Sequence, residues 1–182
     1  MPAAPSCLRR LAYGARARIA NAALVAGLAL GALATPLPVS AAEPVTVLAL
    51  GDSLTAGYGL PPDEGLVPQL QRWLDANGGG VTLVNAGVSG DTTAGGLARL
   101  DWSLTPEVDA MMVILGGNDL LRGLDPAQAR SNLDAILARA QAEGLPVLLV
   151  GLRAPGNYGP DYQRQFGAIY ADLAATYGAL LE

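Results

Sequence analysis

The 182-residue sequence predicts an α/β domain in which a parallel sheet is covered by helices. Three observations carry that expectation. Four short runs, 45–50, 81–84, 110–115 and 147–150, are apolar but for Thr46 and Thr82, as expected of strands buried on both faces. The segments between them repeat apolar residues at helical spacing. Strand and helix alternate throughout, and right-handed crossovers turn that order into a parallel sheet.

Taken in order, the chain opens with a basic stretch holding Arg9, Arg10, Arg16 and Arg18, then an apolar run over Ile19–Leu33. Val39-Ser40-Ala41 fits a small-x-small cleavage rule, so residues 1–41 read as a secretory signal peptide. An uncleaved anchor ranks lower, because a run of about 15 residues falls short of the roughly 20 needed to span a bilayer. The domain is then 42–182. Val45–Leu50 is its first strand, and Val67, Leu70 and Leu74 share one helix face after it. Val81–Val84 is the second strand, and Leu97, Leu100 and Leu104 mark a second helix. Ala110–Leu115 is the third strand. The helix that follows is the clearest: Asp125 caps it, Pro126 occupies its first turn, and Ala129, Leu133, Ile136, Leu137 and Ala140 form its stripe, with Gly144 and Pro146 ending it. After the Val147–Val150 strand, a last helix follows Pro160, with Phe166, Ile169, Tyr170, Leu173 and Tyr177 on one side. Gly178 stops it, and Ala179–Glu182 reads as the start of a fifth strand or a frayed helix end.

Composition narrows the function. Cleavage after Ala41 removes the only cysteine, Cys7, so the domain is held by packing without a disulfide. Seven of the 11 arginines remain against 16 Asp and Glu, a balance of 7 − 16 = −9, which disfavours nucleic acid as a partner. No later segment is long enough for stable membrane insertion. There is no histidine and no lysine.

Ser53 lies between the first strand and the first helix, where open parallel sheets present ligands and nucleophiles. Gly-Asp-Ser alone is weak, since Asp-Ser after a strand is commonly turn and cap chemistry. Two more strand ends add to it: Asn85 to Thr92 after the second strand, and Gly116-Gly117-Asn118-Asp119 after the third. The backbone N–H of Gly90 and the side-chain amide of Asn118 are suitable donors to a developing oxyanion. The plainer alternatives are a turn residue bonding its own backbone for Asn118, and a tight turn before a helix capped by Asp91 for Gly90.

Together these residues resemble the SGNH (GDSL) hydrolase superfamily, and within it the bacterial periplasmic group of acyl-CoA thioesterase I, lysophospholipase L1 and arylesterase. Gly51 to Tyr58 is similar to the first block of that family, Asn85 to Thr92 with Gly96 to Leu100 to the second, and Gly116 to Asp119 with Leu121-Arg122-Gly123 to the third. Arg153 to Gly159 is similar to its substrate-crevice loop. The resemblance implies a three-layer, flavodoxin-like fold and a serine hydrolase acting on small-molecule acyl esters or thioesters, with no metal or cofactor. It implies Ser53 as nucleophile, with the Ser53 and Gly90 N–H groups and the Asn118 amide as the oxyanion hole. Leu120, Leu121 and Arg122 fall in a mobile lid over Leu120–Leu124, and Pro155, Asn157 and Tyr158 in the substrate loop. A periplasmic or secreted location is expected.

One departure is large. The last block of the family, Asp-x-x-His, supplies the base that a serine hydroxyl needs, and it has no counterpart among these residues. The expectation is a hydrolase fold shortened at its C-terminus, lacking its last strand and helix, and nearly inactive as it stands. Two alternatives keep the crevice without catalysis: a pseudoenzyme, and a flavodoxin-like module that binds an anion on the first loop.

Overall fold

Five strands make one parallel sheet in the described residues, 44–182, of the computed structural model, and the expected signal peptide lies outside them. They are β1 (Val45–Gly51), β2 (Val81–Gly87), β3 (Ala110–Ile114), β4 (Val147–Leu149) and β5 (Leu180–Leu181), in the spatial order β2-β1-β3-β4-β5. The helices are α1 (Ser53–Ala56), α2 (Leu66–Ala76), α3 (Thr93–Ala98), α4 (Leu100–Ser103), α5 (Gly117–Leu121), α6 (Pro126–Ala142) and α7 (Pro160–Tyr177). No helix among the described residues is long and apolar enough to cross a membrane.

The period-two alternation of β1 and β3 divides the core into two layers. Leu48, Leu50, Met111, Val113 and Leu115 face α6 and α7, meeting Leu133, Ile136, Leu137, Phe166, Ile169 and Leu173. Ala49, Met112 and Ile114 face the other way, against Val67 and Leu70 of α2. Fully burying an aliphatic side chain stabilises by about 1.5–3 kcal/mol, so α6 is held chiefly by its apolar stripe. Asp125 caps it as expected, accepting the Ala127 N–H at 2.9 Å.

Three expectations need correction. The single helix through Leu97, Leu100 and Leu104 is two short ones, α3 and α4, parted at Arg99 (φ −108°, ψ 5°). The break lets the Arg99 guanidinium turn back to Asp91 and Gly51, while the three leucines still pack on the core. Asp91 is not the cap of α3: Thr92 is, accepting the Gly95 N–H, because Asp91 is engaged with Arg99. The sheet is not without its fifth strand. Gly178 (φ 65°) ends α7, and Leu180 and Leu181 pair with Leu148 and Leu149, so the residues after Gly178 are strand and not frayed helix.

The topology decides where chemistry can occur. β1 is flanked by β2 on one side and β3 on the other, and Gly51 is in register with both Gly87 and Ile114. The loops leaving these three strands therefore start at one level, beside the point where the strand order reverses.

Candidate active site

The first loop is shaped by two glycines. Gly51 and Gly87 are paired in register, and neither carries a side chain toward α1. A Cβ on Gly87 would stand 2.2 Å from the Ala56 nitrogen and 2.6 Å from the Thr55 carbonyl carbon. One on Gly51 would stand 1.9 Å from Thr55 Oγ1. Their absence lets α1 lie directly on the ends of β1 and β2. Thr55 is sealed in this contact, with its hydroxyl lacking a hydrogen-bond partner. Buried Asp52 caps α1, its Oδ1 accepting the Leu54 N–H at 3.0 Å. Half-buried Ser53 follows as the first helical residue.

The second loop is a tight turn. Val88 donates its N–H to the Gly51 carbonyl at 3.0 Å, and Asp91 donates to the Val88 carbonyl at 3.1 Å. Gly90 sits inside the turn at φ 88°, in the left-handed region that favours glycine.

The third loop joins the other two. Asn118 Nδ2 donates to the Asp91 carbonyl at 2.8 Å and to Asp52 Oδ2 at 3.3 Å. Its partners are thus the residue before Ser53 and the residue after Gly90, not its own backbone. Asp119, 2% exposed, fixes α5 from behind: its carboxylate accepts the Thr93 N–H at 2.8 Å and the Thr93 hydroxyl at 2.6 Å. Asn132 of α6 completes this network on Thr93 Oγ1 at 3.0 Å. Four hydrogen-bonding groups from three helices are satisfied there, as burial demands.

The expected lid is tied down at several points. Leu120 and Leu121 belong to α5. Arg122 donates to the Gly90 carbonyl at 2.8 Å. The Tyr158 hydroxyl donates to the Leu121 carbonyl at 3.3 Å, and that of Tyr162 to Leu124 at 2.9 Å. Tyr158 closes a 3-10 turn over Gly156–Tyr158, with Pro155 and Asn157 exposed in the same loop. Leu54, Tyr58, Leu60, Val88 and Leu121 are exposed apolar side chains on the loops that carry the site.

Beneath these loops, Tyr170 donates to the Leu115 carbonyl at 3.0 Å. A Cβ on Gly116 (φ 116°) would come within 2.1 Å of that hydroxyl, so only glycine fits there. Burial pushes the Tyr170 phenol well above its ordinary value, and the charges of Asp119 and Asp52 add to this. A raised tyrosine favours the neutral form in the folded state. Its contribution is complete below the unfolded value of about 10 and is lost as pH rises past it. Stability is therefore expected to fall above about pH 10, and Tyr170→Phe to flatten that fall in urea melts taken across the alkaline range.

The structure joins the loops of Ser53, Gly90 and Asn118, adds Arg122 to Gly90, and brings Tyr158 onto Leu121. It sets Pro155 and Asn157 on the outer loop. Asp52, Arg99 and Asp119 matter to this geometry but had no role assigned from sequence, and Asp91 had only that of a cap. Neither the Asp91–Arg99 pair, eight residues apart, nor the bond of Asp119 to Thr93 leaves a local signal in the sequence.

Comparison with known proteins bears on what this crevice does. The family described as GDSL-like Lipase/Acylhydrolase matches residues 49–181. "Esterase TesA" of Pseudomonas aeruginosa is 47% identical over 146 residues, covering 80% of this chain and 73% of that protein. "Thioesterase 1/protease 1/lysophospholipase L1" of Escherichia coli K12 is 39% identical over 143 residues, covering 78% and 67%. The crystal structure of AlinE4, an SGNH-hydrolase family esterase, superposes with a TM-score of 0.74 at 50% identity, covering 78% of this chain and 77% of that one.

Proposed function

Because the chain belongs to the GDSL-like lipase/acylhydrolase family, we propose that its crevice is an acyl-transfer site with Ser53 as nucleophile. The observation that carries this reading is the Asn118 amide, which bridges the neighbours of Ser53 and Gly90. An oxyanion formed on an acyl carbonyl attacked by Ser53 would meet the N–H groups of Ser53 and Gly90 and one Asn118 N–H. The longer, 3.3 Å bond to Asp52 is the weaker of the two that Asn118 makes, so that proton is the one free to turn to the oxyanion. Donors fixed before the reaction stabilise the charge without reorganising.

The substrates are carboxylic esters or thioesters. Lysophospholipids, aryl esters and acyl thioesters all suit an apolar rim of Leu54, Tyr58, Val88 and Leu121 around a polar centre. Leu120, Leu121 and Arg122 would cover the acyl group, and Pro155, Asn157 and Tyr158 would border the leaving group. The acidic surface disfavours nucleic acid, and the basic and apolar leader supports export to the periplasm or beyond. With no histidine or lysine among the 182 residues, the proton of Ser53 has no ordinary acceptor. The chain as given should acylate slowly and deacylate more slowly still.

Acylation can be read directly. Incubation with excess p-nitrophenyl acetate should place one acetyl group on the peptide carrying Ser53, detected by mass spectrometry after digestion. Asn118→Ala should slow that acetylation by about 10²–10³-fold. Acetyl groups spread over other residues, with Ser53 unlabelled, would defeat the assignment.

A further inference from the structure

Arg99 has no role in the acyl-transfer reading above, yet it touches two of the three loops. Its Nε donates to Asp91 Oδ2 at 2.6 Å and its Nη2 to the Gly51 carbonyl at 2.9 Å. Nη1 lies 3.5 Å from the hydroxyl of Ser103, which in turn donates to the Arg99 carbonyl at 3.0 Å. Both members of the Arg99–Asp91 pair are only 17% exposed. The other ion pairs among the described residues, Arg130–Asp172, Arg139–Asp101, Arg139–Glu143 and Arg164–Asp161, join more exposed side chains and meet none of these loops.

What the guanidinium holds is specific. Gly51 ends β1, two residues before Ser53, and its carbonyl takes both Arg99 and the Val88 N–H. Asp91 follows Gly90, and its carbonyl is the acceptor that orients Asn118. We propose that Arg99, acting through Asp91, is a positioning residue that sets the Gly90 N–H and the Asn118 amide relative to Ser53. The inference rests on the acyl-transfer reading above. A planar fork with separate donors can lock two partners at once, where an ammonium is a single point charge. Displacing a reacting group by about 1 Å can cost about 10²-fold in rate, so rigidity here governs how well the oxyanion is met.

The test uses the full chain and two readouts that do not need turnover. Phenylboronic acid adds to the Ser53 hydroxyl oxygen, releases the proton to solvent, and leaves a tetrahedral, anionic boron whose oxygen occupies the oxyanion position. The side-chain amide of Asn118 is followed independently by 15N–1H NMR. In folded Arg99→Gln the Asn118 amide resonances should move and phenylboronic acid should bind about tenfold or more weakly. Arg99→Lys should behave like Arg99→Gln and not like the parent. Should Arg99→Gln fail to fold, Asp91→Asn is read instead, since it keeps the Asp91 carbonyl and the Arg99–Gly51 bond. Unmoved Asn118 resonances with unchanged boronate affinity in the folded variant overturn the inference alone. A parent chain that binds no phenylboronic acid defeats the acyl-transfer reading, and the inference falls with it.

Discussion

Steady-state hydrolysis of p-nitrophenyl esters by the 182-residue chain is expected to remain near background, even where Ser53 is acylated as proposed. The chemistry has two halves. Binding and oxyanion stabilisation survive loss of a triad member and leave about 10³–10⁴-fold over water. Removal of the serine proton and activation of the deacylating water need a base near neutrality, and protonation of the leaving group needs its conjugate acid. Histidine is the side chain whose ordinary pKa falls there, and the chain has none. An activated ester tolerates the lack of an acid because its leaving group needs no proton. Water attacking the acyl-Ser53 still lacks its base. The acyl group should therefore accumulate, giving a slow release of p-nitrophenol that stops near one equivalent. The rate of that release should rise smoothly with hydroxide and show no inflection between about pH 5 and 8. Sustained turnover that Ser53→Ala abolishes would show that some other group serves as base.

Much of this fold was legible because its signals are local. Apolar runs located four strands closely, and the Asp125-Pro126 start with its five-residue stripe located α6. The split helix and the displaced cap share one cause, which is a tertiary contact overriding a local pattern. Leu97, Leu100 and Leu104 read as one helix because their spacing is helical, yet Arg99 leaves helical geometry to reach Gly51, 48 residues earlier. Asp91 read as a cap because aspartate before a helix is a good one, but a nearby guanidinium is a stronger partner. In the site, Ser53, Gly90 and Asn118 were legible as a combination of motifs. The contact that unites them, Asn118 with Asp52 and Asp91, spans 66 and 27 residues and depends on strand register.

Register also makes Gly87→Ala the substitution with the largest expected structural effect. In an isolated β-strand alanine is tolerated, and the φ of Gly87 is not among the positive values that demand glycine. The constraint is space. The new methyl would meet the backbone of Thr55 and Ala56 at 2.2–2.8 Å, and backbone cannot rotate aside as a flexible side chain can. Either α1 lifts off the ends of β1 and β2, or β1 and β2 part at Gly51. Overpacking of this kind costs about 1–3 kcal/mol, which urea denaturation would record. The larger consequence is functional, because α1 begins at Ser53 and its lift moves the hydroxyl away from Gly90 and Asn118. Acetylation of Ser53 in Gly87→Ala should fall by about 10²-fold, even where circular dichroism shows the variant folded. A folded Gly87→Ala protein acetylated at the parent rate would mean that Ser53 reaches its reactive position without α1 seated on the glycine pair.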